Sequence, residues 1–308
     1  MKQVKAMIEI KNVTKSYEKK VAIENINLTI NDSSVLGIAG FNGSGKTTLL
    51  NICAGIYKPD SGEVLLDGAV AFDNDVERKQ MFFLADEFFF PAGATVKSAA
   101  RFYSSYHPEF DFELFKNICD IFGLKEKATI RSLSKGMKKQ ASLAIAFASK
   151  PKYLLIDETF DGLDPHKKEL LKNILLEYIN ETSASVIIAS HDLTEIAGVC
   201  DRVAILNGKN VILDSNIDDI SDHYRKVALT FEMPVTEQTF KGVNYRNLKL
   251  SGRNVYMTIF GDIDKETQKL KELGATITDS TRLTLEEVFI EETEAENENE
   301  KIKSLFKK

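Results

Sequence analysis

The segment Gly40-Phe41-Asn42-Gly43-Ser44-Gly45-Lys46-Thr47 leaves this chain few folds to choose from. Glycine, four residues, Gly-Lys and then Thr is the spacing of a phosphate-binding loop. The segment follows Val35-Leu36-Gly37-Ile38-Ala39, an apolar run of the kind found in buried parallel strands. It leads into Thr48-Leu49-Leu50-Asn51-Ile52-Cys53-Ala54, which reads as a helix. Strand, glycine-rich loop and helix together are the context the motif needs, and they predict an α/β fold. The chemistry explains the spacing. Glycines without Cβ let the backbone close around phosphate oxygens, so that N–H groups converge on them as an anion nest. The helix N-terminus adds about half a positive charge. Lys46 supplies a full charge, and the Thr47 hydroxyl is a ligand type suited to Mg²⁺.

Composition narrows the partners. The chain has 308 residues, enough for one large domain or two smaller ones, and 43% of them are hydrophobic. Its 46 acidic and 40 basic residues leave a net charge of −6, so no nucleic acid is expected as a partner. Cys53, Cys119 and Cys200 are far apart with no CxxC pair, which predicts buried thiols in a reducing compartment. The first residues hold no signal-peptide core, and no apolar run reaches the ~18 residues of a membrane span. The expectation is a soluble chain that can still dock on a membrane protein.

Further along, residues 8–17 and 21–30 read as strands, with Ile26, Leu28 and Ile30 alternating with polar residues. Tyr17, at a strand end, is either ordinary filler or a ring for stacking on a base. Phe88-Phe89-Phe90-Pro91 is either local core or a partner surface. Residues 96–122 read as helical and aromatic, interrupted at His107-Pro108. Leu133-Ser134-Lys135-Gly136-Met137 opens a helix of small and apolar residues. Tyr153-Leu154-Leu155-Ile156 is an apolar strand ending in Asp157-Glu158, and ligands of open α/β sheets bind at such carboxyl ends. Asp164-Pro165 is a helix start, with Asp as N-cap and Pro at the first position. Val186 to Ser190 is a buried strand with His191-Asp192 at its end, and residues 202–213 read as a hairpin turning at Asn207-Gly208.

Five of these stretches together resemble the nucleotide-binding subunit of an ATP-binding cassette (ABC) transporter: Gly40–Thr47, Leu133–Met137, Leu154–Glu158, Gly162-Leu163-Asp164 and Ser190-His191-Asp192. They occur in the family's order, within about Met7 to Asp214. The resemblance implies a P-loop NTPase core with a parallel sheet, an antiparallel β subdomain and a helical subdomain. It implies ATP and Mg²⁺, with Tyr17 stacking on adenine beside Val21. Asn42, Gly43, Ser44, Gly45, Lys46, Thr47 and Thr48 would hold the phosphates, and Thr47 and Asp157 would serve the metal. Glu158 matches the general base and His191 the switch that touches the γ-phosphate. Ser134, Lys135 and Gly136 would meet the γ-phosphate of the opposite subunit, and Asp164 would couple the two sites. The partners implied are a separate integral-membrane permease and a second copy of this chain or a homologous ATPase subunit. The location implied is cytoplasmic, peripheral on the inner face of the cell membrane. The alternative is a soluble cassette ATPase acting on nucleic acid, ribosomes or protein assembly. Such proteins usually carry two cassettes, a long coiled coil or a basic surface, and this chain has none of these.

Three departures from the family pattern matter. Asp86 stands where Gln is usual; it can ligate Mg²⁺ but cannot donate as an amide does, and a one-residue shift would make Glu87 the equivalent instead. Lys135 and Met137 replace the commoner Gly and Gln, and Thr159-Phe160 replaces Pro-Thr. From about Ser221 the pattern becomes a small α+β domain, 221–293, after a cassette of residues 1–220. That domain resembles the appendages of bacterial drug and peptide exporters through Leu285–Phe289, which implies export. A charged tail, 294–308, follows, with Ile302, Leu305 and Phe306 at helical spacing.

Overall fold

The structure, a computed structural model, describes residues 6–293 except 19, 159 and 161. The charged tail, with Ile302, Leu305 and Phe306, and the departure at Thr159 lie outside the described residues. The chain divides into two compact units between Asp214 and Ser215, near the end of the strand Asn210–Asn216. The boundary thus falls earlier than the expected 220. The reason is helical: residues 217–223 form a helix that packs on the strand and terminal helix of the second unit.

The first unit runs β1 (Ala6–Tyr17), β2 (Lys20–Asn31), β3 (Val35–Gly40), α1 (Lys46–Cys53), β4 (Ser61–Leu66), β5 (Ala69–Val70), α2 (Asp75–Arg78) and β6 (Met81–Leu84). It continues through α3 (Val96–Ser104), α4 (Phe112–Phe122), a 3₁₀ turn (Ile130–Ser132), α5 (Lys135–Ala148), β7 (Tyr153–Asp157), α6 (Pro165–Thr182), β8 (Ser185–Ser190), α7 (Leu193–Val199), β9 (Arg202–Asn207) and β10 (Asn210–Asn216). Two sheets share one core. The antiparallel sheet has the order β2-β1-β4-β5, and the six-stranded sheet the order β10-β9-β3-β8-β7-β6. Ile8, Ile10 and Ile26 from the first meet Leu36, Ile38 and Leu155 from the second, with Leu49, Leu50 and Ile52 of α1 between them. The α/β architecture with an antiparallel β subdomain is therefore as expected.

Register positions the site. β3 pairs in parallel with β8 and β9, β8 with β7, and β7 with β6. Ala39 lies opposite Ser190, and Asp157 opposite Ala189. The ends of β3, β7 and β8 therefore form one edge, where Gly40, Asp157 and Ser190 emerge together. A helical layer of α3, α4 and α5 packs beside this sheet. Its helix starts are capped by side chains: Thr95 with Ser98 for α3, Asp111 for α4 and Ser134 for α5. The β9–β10 turn is Gly208-Lys209, one residue later than expected. Gly208 takes the positive φ, 66°, that the turn requires.

The aromatic stretch divides between its two readings. Phe88 packs inward against Phe82 and Tyr103, with ring centroids 6.0 and 4.8 Å apart. Phe89, 63% exposed, projects outward near Phe102 and Tyr106, the latter 59% exposed. The Tyr103 hydroxyl donates to the Phe89 carbonyl at 2.6 Å and holds that segment against α3.

The second unit contains α8 (Ile217–His223), β11 (Tyr224–Thr230), a 3₁₀ turn (Glu237–Phe240), β12 (Tyr245–Ser251), β13 (Asn254–Phe260), α9 (Ile263–Glu272), β14 (Thr276–Arg282) and α10 (Leu285–Thr293). Its sheet order is β12-β13-β11-β14. Val227, Leu229, Val255, Met257 and Ile259 share one sheet face and a core with Phe240 and Leu270. Leu285, Val288 and Phe289 bury the inner face of α10.

Candidate nucleotide-binding site

The loop between β3 and α1 is shaped by its glycines. Gly43 and Gly45 have φ of 81° and 101°. A Cβ on Gly45 would stand 2.4 Å from Ile23 Cγ2 and 2.9 Å from the Ala22 carbonyl. Gly45 is also the N-cap of α1, and no side chain caps that end. The helix begins at Lys46, inside the motif and two residues before the expected Thr48, so its first N–H groups, which lack intrahelical partners, face the loop. Ser44 Oγ is buried and has no hydrogen-bond partner among the described residues. Uncapped donors beside an orphaned hydroxyl fit a polyanion.

Lys46 is only 5% exposed. Its Nζ donates to the carbonyls of Gly40 at 2.8 Å and Phe41 at 3.3 Å, and lies 3.3 Å from Glu158 Oε1. The other Glu158 oxygen, Oε2, is 2.7 Å from His191 Nδ1. Glu158 thus bridges the loop lysine and the histidine at the end of β8. With Glu158 ionised, the imidazole is the tautomer that donates from Nδ1. The backbone of Glu158 has φ 49°, a region that side chains with Cβ seldom adopt and that gathers at functional sites. Its N–H donates to the Ala189 carbonyl at 2.9 Å.

Asp157 is 2% exposed, and burial raises its pKa above the ordinary carboxylate value. A hydrogen bond with Thr47 and the charge of Lys46 oppose that rise. A buried carboxylate beside a hydroxyl is the hard oxygen pair that Mg²⁺ takes from a protein when phosphates and water complete its shell. Behind the histidine, Ser190 Oγ donates to Glu195 at 2.9 Å, and Lys168 binds the same carboxylate at 2.5 Å. Burial raises the Glu195 pKa, and the Lys168 contact opposes it.

One cleft of about 710 Å³ brings together Tyr17, Val21, Asn42, Gly43, Gly45, Lys46, Thr47, Thr48, Asp86, Glu158 and His191. Tyr17 stands at its rim, half-exposed and edge-on to Tyr57 at 6.2 Å. Asp86, not Glu87, lines this cleft. Its carboxylate, however, is bound by Lys139 at 2.9 Å, because α5 presents that lysine directly to the segment after β6. Sequence reasoning missed Lys139, and also Lys20, Gly208 and Lys209, which line the cleft too. The two cleft lysines carried no signal beyond their charge; folding of the β9–β10 turn brings Lys209 within reach of β2, where the main-chain N–H of Glu24 donates to the Lys209 carbonyl at 2.9 Å.

Ser134, Lys135, Gly136 and Asp164 do not line this cleft. Ser134 and Lys135 are exposed at the start of α5, where Ser134 Oγ accepts from the Met137 N–H at 3.2 Å. Asp164 caps α6 by accepting from the Lys167 N–H at 3.0 Å. Gly136 runs so close to the turn before α6 that a Cβ would lie 2.9 Å from the Gly162 carbonyl.

The family profile described as ABC transporter matches residues 23–161. The ABC transporter ATP-binding protein YtrB of Bacillus subtilis (strain 168) is 28% identical over 287 residues, covering 92% of this chain and 97% of YtrB. The methionine import ATP-binding protein MetN 1 of Oceanobacillus iheyensis is 30% identical over 285 residues, covering 85% and 81%. A solved structure titled as the ATP binding subunit of an ABC transporter superposes with a TM-score of 0.65 at 23% identity, over 70% of this chain and 91% of that one. The expectation of export gains no support here, since MetN 1 is named for import. The match to MetN 1, joined to the phosphate loop and its cleft, shows that the chain belongs to the ABC transporter family, as one of its ATP-binding, ATP-hydrolysing subunits.

Proposed function

We propose that this chain is the motor of a membrane transporter: it closes into a dimer around ATP and opens again on hydrolysis. The observation that carries this reading is a division within the chain. Lys46, Glu158 and His191 line the phosphate cleft, whereas Ser134, Lys135 and Gly136 stand outside it. A second copy, or a homologous subunit, placed head to tail would bring that outward helix start to the γ-phosphate.

Each residue's task follows from phosphoryl transfer, which is mainly positioning and charge neutralisation. Tyr17 offers a ring to the adenine, with Val21 beside it. The 42–48 segment and Lys46 hold the phosphates, whose charge would draw Lys46 from Glu158. Glu158, released from that contact, orients the attacking water, and His191 keeps the carboxylate aimed. Mg²⁺, held through Thr47 and Asp157, would neutralise charge on the phosphates. A buried carboxylate disfavours the apo fold wherever it is ionised. Asp157→Asn is therefore expected to melt higher than wild type without nucleotide at neutral pH, with the gap closing as pH falls through the raised Asp157 pKa. The same variant should gain less from Mg-ATP, which calorimetry in both states would show. Gly136→Ala, which sets a methyl against the Gly162 carbonyl, should keep ATP binding and lose roughly 10-fold or more of turnover through misplacement of the 162–164 turn.

A permease is the partner this reading requires. The exposed edge of the aromatic cluster, Phe89, Phe102 and Tyr106, offers its cytoplasmic helices an apolar seat. Such docking would place the chain at the inner face of the membrane. Among the described residues no helix is long and apolar enough to cross a membrane. Purification from native membranes should recover an integral-membrane protein, and Phe89→Asp should release it. Recovery with ribosomes or nucleic acid instead would favour the non-transport alternative. We propose the second unit as an accessory domain; deleting it without effect on turnover or partner binding would remove that role.

A further inference from the structure

Lys139 lies one turn into α5, after the Ser134 cap, and is 6% exposed. Its ammonium reaches two groups from different elements. It pairs with Asp86 Oδ1 at 2.9 Å and donates to the main-chain carbonyl of Glu158 at 2.6 Å. A buried ammonium is tolerated only when it is paired and hydrogen-bonded, so these two contacts are what keep the side chain in place. They also join three parts of the cassette: the helix whose start faces outward, the segment that follows β6, and the end of β7 that carries Glu158.

The carbonyl contact falls where it matters most. Glu158 has a left-handed backbone, φ 49°, and the direction of its side chain follows from that conformation. Two hydrogen bonds fix its peptide groups: the N–H to Ala189 at 2.9 Å, and the carbonyl to Lys139. Releasing the second leaves a strained residue held from one side only. The carboxylate that now spans Lys46 and His191 would then swing through a wider range.

We propose that Lys139 is a positioning residue, an ionic latch that ties Asp86 and α5 to the main chain of Glu158 and so aims the carboxylate. The proposal rests on the reading of Glu158 as the base that orients water. It gives Asp86 a different task from metal binding, because its charge answers that of Lys139.

The test uses the full chain and steady-state ATP hydrolysis at graded ATP and Mg²⁺. Lys139→Met keeps the aliphatic stem and removes the charge. Its kcat should fall about 10-fold or more, with KM for ATP within about 2-fold, since misplacement of a reacting group costs turnover before binding. Asp86→Asn removes the negative charge of the same pair from its half-exposed side. It should lower kcat and leave the Mg²⁺ half-saturation unchanged. The double variant Lys139→Gln with Asp86→Asn, a neutral amide pair, should recover part of the kcat that Lys139→Gln loses alone. Wild-type kcat in Lys139→Met, beside an inactive Glu158→Gln, overturns the latch and leaves the base assignment standing. Turnover persisting in Glu158→Gln overturns the base assignment instead. Should Lys139→Met fail to fold, Asp86→Asn decides: unchanged kcat, or a shifted Mg²⁺ dependence, assigns Asp86 elsewhere and overturns the latch.

Discussion

Glu158→Gln is expected to bind Mg-ATP as tightly as the wild type and to hydrolyse it about 10²–10⁴-fold more slowly, the usual contribution of a general base. The amide occupies the same volume and can still accept one hydrogen bond, from His191 Nδ1, which lies 2.7 Å from the present carboxylate. It cannot hold the negative charge that turns a bound water towards phosphorus. It also presents no anion to Lys46, now 3.3 Å from Oε1, so the lysine is freer to serve the phosphates. Binding should therefore hold or tighten while turnover collapses. Single-turnover hydrolysis together with equilibrium nucleotide binding separates the two effects. Turnover at the wild-type rate would remove Glu158 from the chemistry.

Lys46→Ala is expected to fail one step earlier, at binding. Lys46 is a buried cation at the start of α1, with its stem enclosed by the loop that must wrap the phosphates. Removing one partner of a close, desolvated charge pair costs about 2–5 kcal/mol, which is roughly 30-fold or more in Kd. The backbone donors of the loop remain, so binding should weaken, not vanish. The variant should fold: Lys46 bonds to its own loop carbonyls, and its other close contact is an acid whose second oxygen is held by His191. Titration with a fluorescent ATP analogue, beside a melting curve of the apo protein, checks both points. Wild-type affinity would mean that the backbone alone holds the phosphates.

Most of the site could be read from residues because its chemistry is local. The 40–47 loop needs glycines at fixed offsets, and a strand ending in Asp157-Glu158 puts both acids at one sheet edge whatever the rest of the chain does. The parallel register then places Gly40, Asp157 and Ser190 side by side. Asp164-Pro165 starts α6 as its chemistry dictates. What escaped was long-range. Lys139 sits in a helix of small residues, and its partners, Asp86 and the Glu158 carbonyl, come from two other elements. A main-chain carbonyl leaves no trace in a sequence. The boundary between the units moved to Asp214 because α8 packs by tertiary contact, which its short acidic sequence does not announce. Phe88 and Phe89 are neighbours of the same type, and only the fold turns one inward and the other out.

A cleft that holds Lys46, Glu158 and His191, and leaves Ser134 to Gly136 outside, would be half of a site in the proposed dimer. The most direct measurement is the molar mass of Glu158→Gln by sedimentation velocity, with and without saturating Mg-ATP. A monomer that becomes a dimer only with Mg-ATP, and a dimer lost again when Ser134→Arg is added, is the predicted result. A Glu158→Gln protein that binds ATP fully yet stays monomeric would contradict the composite site.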